Sequence, residues 1–223
     1  MEFDAFSGSS GGSIAAAFLA SGKEPKEVLE IIKEIDFKKI VKFNYFRNSI
    51  FSMKKAQEFF KEQGLIDFDK LQKKLFVCVT DFETYETLYI DKGDLSKFLV
   101  ASSSLIPIFE PFEIDGKKYI DGGFTDNLPI TPLLDFDFKL AINVNPPINL
   151  KESFLNNLYM AGFIMLNNNI KFSKDKADRF VEITECKRFS IFDRKNFDLL
   201  YQIGEESAKR EELFWQSLMD GES

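Results

Sequence analysis

The sequence predicts an α/β layered sandwich, and three observations support that class. Leu75–Thr80 and Leu140–Val144 are nearly continuous apolar and β-branched runs, the pattern of strands covered on both faces. Segments with apolar residues at helical spacing lie between and beyond them, so strands alternate with helices. Neither an internal repeat nor a low-complexity linker interrupts the 223 residues, which suit one substantial core.

Phe3–Phe6 reads as a short strand running into a glycine-serine turn. Ser13–Ala20 is a helix with a small-residue face, stopped by Gly22. Pro25 opens a second helix, with Val28, Ile31, Ile32 and Ile35 on one face. Ser52 is placed to cap a third, which carries Ala56, Phe59 and Phe60 and ends at Gly64. Leu75–Thr80 is the central strand and Glu86–Ile90 its alternating partner. Leu95–Ser102 is a short helix before Pro107 and Pro111, and Lys118–Ile120 is a strand entering Asp121-Gly122-Gly123. The strand Leu140–Val144 breaks at Pro146-Pro147, and Leu150–Leu166 follows as an amphipathic helix. Phe180–Ile183 is the last strand, and one long helix, Phe197–Met219, closes the chain.

A hydrophobic fraction of 44% and a charged fraction of 29% are those of a water-soluble globular chain. The net charge of -7 argues against a nucleic-acid partner. Lys38, Lys39 and Lys42, like Lys54 and Lys55, are flanked by acids and read as solvated helix faces. Cys78 and Cys186 have no metal-ligand spacing and read as buried thiols in a reducing compartment. With no histidine and no cysteine pair, neither a metal nor a cofactor is expected. The acidic start lacks a signal peptide's basic region, and Ile14–Ala20 is too short to span a bilayer. The expected location is cytoplasmic, with peripheral membrane contact left open. The 26 phenylalanines are read first as compositional bias.

The chemistry is carried by Gly8-Ser9-Ser10-Gly11-Gly12. A G-x-S-x-G pattern between strand and helix is the nucleophile elbow of serine acyl hydrolases. Gly8 and Gly12 let the backbone turn sharply and let neighbours approach closely, while the Gly11 N–H sits where an oxyanion needs a donor. Histidine is the usual base for such a serine, and this chain has none. A carboxylate or lysine must therefore activate Ser10. Asp121 is the candidate: burial near Tyr119 and Phe124 would raise its pKa, and Gly122 and Gly123 let backbone pack against it. A plain Asp-Gly-Gly turn is the simpler reading of that motif alone. Lys23 lies at the far end of the first helix, and Asp4 and Asp81 have no role that spacing assigns.

These motifs together resemble the patatin-like phospholipases, lipid acyl hydrolases with a Ser-Asp dyad. The resemblance rests on Gly8–Gly12, Val79–Thr84, Ala101–Ser104, Pro107–Pro111, Asp121-Gly122-Gly123 and Asn127-Leu128-Pro129, in that order, over about residues 3–145. A weaker echo falls at Gly204 and Ala208. It implies a three-layer α/β/α sandwich in a single domain over residues 1–223, completed by residues 150–219. It also implies Ser10 as nucleophile, Asp121 as base, an acyl-enzyme, and a lipid acyl ester or phospholipid as substrate. Family members carry a strand and a glycine-rich oxyanion loop ahead of the nucleophile. Only nine residues precede Ser10, so that segment is expected to be missing from this chain, either because its start is not the native one or because the chain is a truncated relative. The sheet is then expected to expose an edge or a bare core face. A catalytically impaired lipid-binding or scaffolding protein is the alternative reading. The helix Phe154–Leu166 reads as a core face, or else as a lid for acyl chains. Phe43, Tyr45, Phe46 and Phe51 carry the same ambiguity.

Overall fold

The computed structural model describes residues 2–34, 42–43, 51–146, 154–189 and 194–219. In chain order the elements are β1 (Ala5–Ser9), α1 (Gly11–Ala20), α2 (Pro25–Glu34), β2 (Lys42–Phe43), β3 (Phe51–Ser52) and α3 (Lys54–Glu62). Next come β4 (Lys74–Asp81), β5 (Thr87–Ile90), α4 (Leu95–Ser102), β6 (Phe112–Ile114), β7 (Lys117–Asp121) and β8 (Leu140–Asn143). The chain closes with α5 (Phe154–Lys174), β9 (Arg179–Glu182), α6 (Phe197–Arg210) and α7 (Glu212–Met219).

A mixed five-stranded sheet, β1, β4, β5, β6 and β7, carries helices on both sides. Its centre is β4, every residue of which is buried after Lys74, as its continuous apolar run requires. On one edge β4 pairs antiparallel with β5 from Val77 to Thr80. The other edge is shared end to end. Parallel β1 occupies it up to Ser9 opposite Cys78, and antiparallel β7 takes over with Asp121 opposite Val79. The chain segment after β1 therefore leaves the sheet beside the last residue of β7.

One face of β4 presents Val77 and Val79 to α1 and α4, where Phe18, Leu95, Leu99 and Val100 are wholly buried. The small residues Ala16, Ala17 and Ala20 let α1 lie close on the sheet. Asp94 caps α4 by accepting from the Lys97 amide at 3.1 Å. On the other side α5 packs against the turn that follows β7, and a second apolar cluster joins Leu128, Ile130, Ala141 and Ile170.

Several expectations are corrected. The first strand lies two residues later than Phe3–Phe6 and runs to Ser9, so it ends directly at the turn. Ser52 belongs to β3; Met53 precedes α3 and no side chain caps it. Strand β6 was not expected, although Asp115-Gly116 after it is a two-residue hairpin turn with both residues at positive φ (50° and 81°). Strand β8 is not a buried strand of the main sheet. It pairs with β9 in a separate two-stranded parallel sheet that leaves Ile142 half exposed. Helix α5 continues to Lys174, eight residues beyond the expected Leu166. The closing helix breaks at Glu211, whose carboxylate is drawn into an ion pair with Arg179 of β9. Among the described residues β1 has a strand partner on one side only. Ile35, Lys38, Lys39, Tyr45, Phe46, Pro147 and Leu150 lie outside the described residues.

Candidate active site

Ser10 stands between β1 and α1 with φ 52° and ψ -129°, a backbone conformation L-residues rarely adopt. Holding it there costs about 1–3 kcal/mol, which the surrounding contacts must offset. Gly8 is one of those contacts. A Cβ there would sit 2.6 Å from the carbonyl carbon and oxygen of Gly12 and from the amide of Ser13. At Gly11 and Gly12, by contrast, a Cβ would meet nothing within 4 Å. The close approach expected of both Gly8 and Gly12 is required of Gly8 alone.

The C-terminal end of α4 fixes the turn. The Ser10 amide donates to Ser102 Oγ at 3.0 Å, and Ser102 Oγ donates to the Cys78 carbonyl at 2.7 Å. Two residues on, the Ser104 carbonyl accepts the Asp121 amide at 3.1 Å. One helix end thus holds both residues of interest. The Ser13 and Ile14 amides turn back to the Ser10 carbonyl. The N–H groups of Gly11 and Gly12 are left at the exposed start of α1, where a helix has no internal acceptors and favours negative charge.

Asp121 is 2% exposed. The Ser10 hydroxyl lies close to its carboxyl, whose Oδ1 accepts the Gly123 amide at 2.8 Å. Burial raises its pKa from 3.8 to about 6, against the opposing pull of the nearby Ser10 hydroxyl and the Gly123 amide. That brings a carboxylate towards the range where a general base works at neutral pH. Its carbonyl accepts from Thr80 Oγ1 at 3.0 Å. The following glycines are tightly enclosed. A Cβ at Gly122 would lie 2.2 Å from the Cys78 carbonyl oxygen, and one at Gly123 would lie 2.8 Å from Asn127 Oδ1.

The remaining candidates have structural explanations. Asp81 accepts from the Thr84 and Glu83 amides, which hold its carboxyl below the usual range. Lys23 pairs with Glu27 at the end of α1. Burial, then the charges of Asp126 and Asp121, push the Cys78 thiol well up, so it is an inert core group; Cys186 is only half-buried. On α5, Leu166 and Phe163 are half-buried, and Leu166 packs against Gly123. The side chains of Phe43, Phe51, Phe154, Leu155, Leu158 and Tyr159 lie outside the described residues. Sequence reasoning passed over Ser102, Ser104 and Thr80, all inside stretches it had matched, and Asn169, which no motif marked.

A nucleophile-type turn and a buried acceptor carboxyl, joined across one strand edge and lacking histidine, narrow the comparison with known proteins. The chain is 27% identical over 243 residues to an uncharacterized protein of Acanthamoeba polyphaga mimivirus, covering 92% of this chain and 81% of that protein. An uncharacterized NTE family protein of Mycobacterium tuberculosis is 26% identical over 84 residues, 37% of this chain and 23% of its own length. Human patatin-like phospholipase domain-containing protein 4 is 38% identical over 69 residues, 28% of this chain and 27% of its own length. The family model described as patatin-like phospholipase matches residues 1–134, which include both Ser10 and Asp121. The chain belongs to the patatin-like phospholipase family, whose general chemistry is lipid hydrolysis.

Proposed function

We propose that this chain is a serine acyl hydrolase that cleaves acyl esters of lipids, with Ser10 as nucleophile and Asp121 as its general base. The closeness of the Ser10 hydroxyl to the buried Asp121 carboxyl, near enough to lower its pKa, carries this reading. Oγ attacks the ester carbonyl as the hydroxyl proton passes to Asp121. The carbonyl oxygen takes up negative charge at the start of α1, beside the Gly11 N–H. Asp121 then returns the proton to the departing alcohol, leaving an acyl-enzyme. A water molecule repeats the sequence, giving its proton to Asp121 and releasing the acid and Ser10.

Labelling with a fluorophosphonate, followed by peptide mapping, tests the assignment. The expected result is one adduct on Ser10, absent in Ser10→Ala. An unlabelled but folded wild-type chain, or an adduct on another residue, would remove the assignment.

Acyl chains are drawn from a lipid surface, and α5 supplies the contact. Its outer face exposes Ile164, Met165 and Phe172, at 52%, 61% and 78%, beside the exposed Lys171 and Lys174. An apolar stripe bordered by lysines suits the headgroup boundary of an anionic bilayer. Among the described residues no helix is long and apolar enough to cross a membrane. Replacing Met165 and Phe172 together by serine should reduce co-sedimentation with anionic vesicles about tenfold, from partial loss of two buried side chains. Unchanged co-sedimentation would place the contact elsewhere.

A further inference from the structure

Helix α5 does more than cover the sheet. Asn169, half-buried on its inner face, reaches the loop after Asp121 at two points. Its Nδ2 donates to the Gly123 carbonyl at 2.7 Å, and its Oδ1 accepts the Asn127 amide at 2.9 Å. One turn later Ser173 Oγ donates to Asp126 Oδ1 at 3.0 Å, and one turn earlier Leu166 rests against Gly123. The loop is therefore gripped along its length by a single helix face.

Gly123 is the point where this grip meets the chemistry. Its carbonyl is held by Asn169 and its amide donates to Asp121 Oδ1 at 2.8 Å. Holding the carbonyl restricts the backbone of Gly123 and so limits how far its amide turns from the carboxylate. Gly123 has no side chain of its own to lock that orientation, so the restraint must come from outside the loop. An asparagine suits the task because one planar amide both donates and accepts.

We propose that Asn169 is a positioning residue for acyl transfer: by clamping Gly123 and Asn127 it holds the Asp121 carboxyl in the orientation that receives the Ser10 proton. This inference rests on the Ser10–Asp121 reading given above. Asn169 does not touch the reacting atoms and acts through Gly123.

The test compares Asn169→Asp and Asn169→Ala with Asn168→Asp, which makes the same chemical change on the exposed side of the helix. The aspartate keeps an acceptor for Asn127 but sets an oxygen against the Gly123 carbonyl; the alanine removes both bonds. With a water-soluble acyl ester, kcat should fall about 10- to 100-fold in both, as expected for a reacting group displaced by about 1 Å, with KM within about twofold. The carboxyl titration of Asp121, followed by carbon NMR, should move to higher pH in both variants as the Gly123 amide donor is loosened. Asn168→Asp should match the wild type in both measurements. A purely structural role would lower thermal stability without moving the titration or splitting kcat from KM. Should Asn169→Asp fail to fold, Asn169→Ala gives the same two readings. An unchanged titration and kcat in a folded variant overturn the proposal. Should the wild-type chain turn over no ester, the hydrolase reading fails instead, and the titration alone still decides whether Asn169 positions Asp121.

Discussion

Asp121→Asn is expected to abolish turnover and Ser10 labelling while making the protein harder to unfold at neutral pH. The two effects have one cause. Burial raises the Asp121 pKa from 3.8 to about 6 in the folded chain. The folded state then binds this proton more tightly than the unfolded state does. Stability therefore falls as pH rises from about 4 to about 6, and above that range the ionised, buried carboxylate costs about 3 kcal/mol. Asparagine removes the charge but keeps an oxygen to accept the Gly123 amide, and its NH₂ can donate to Ser10 Oγ. Urea unfolding at pH 7.5 should show a gain of about 2–3 kcal/mol that disappears by about pH 3.5, where both residues are neutral. A gain that persists unchanged at low pH would mean the charge is not its source. In the wild type the same titration sets the acid limb of activity near pH 6, with activity lost below it as Asp121 takes up its proton.

That arrangement is partly legible in the sequence. The glycines of the two motifs flagged Ser10 and Asp121, and the absent histidine forced attention onto carboxylates. Why the two meet was not legible. It depends on β1 and β7 dividing one edge of β4, with Ser9 and Asp121 opposite the consecutive residues Cys78 and Val79. Such a handover is a matter of register, and periodicity carries no register information between distant strands. The same limit hid the supports. Ser102 reaches Ser10 across 92 residues and Asn169 reaches Gly123 across 46, and neither residue type is unusual where it stands. Strongly patterned elements fared better: β4 and α4 were readable to within a residue at most boundaries, because burial on both faces or a clean cap leaves a local trace. The apolar pattern of α5 stops at Asn167, Asn168 and Asn169, so it predicts too short a helix. Those asparagines continue the helix, and one of them works inside it. Strand β6 leaves a local trace in the Asp115-Gly116 turn that follows it.

Gly8→Ala and Gly12→Ala occupy equivalent places in the serine motif, and the structure separates them sharply. At Gly8 the added Cβ would lie 2.6 Å from three backbone atoms in the first turn of α1, so no rotamer change relieves the clash. The helix cannot retreat, because Ala17, Phe18 and Ala20 are fully buried against the sheet and the α4 residues beyond it. Strand β1 cannot retreat easily either, being hydrogen-bonded to β4 through Ser9. The displacement must fall on Ser10, the already strained residue between them. Gly8→Ala should therefore lose about 3 kcal/mol of stability. It should also slow fluorophosphonate labelling about a hundredfold, even where the fold survives. At Gly12 the Cβ enters open space in the first turn of a helix. Alanine there should be neutral or stabilising by about 0.5–1 kcal/mol, with Ser10 still labelled. Urea unfolding and labelling rates on the two variants read both quantities. Equal losses in the two would mean that the motif needs flexibility at both glycines, and would remove the argument that close contact at Gly8 sets the serine in place.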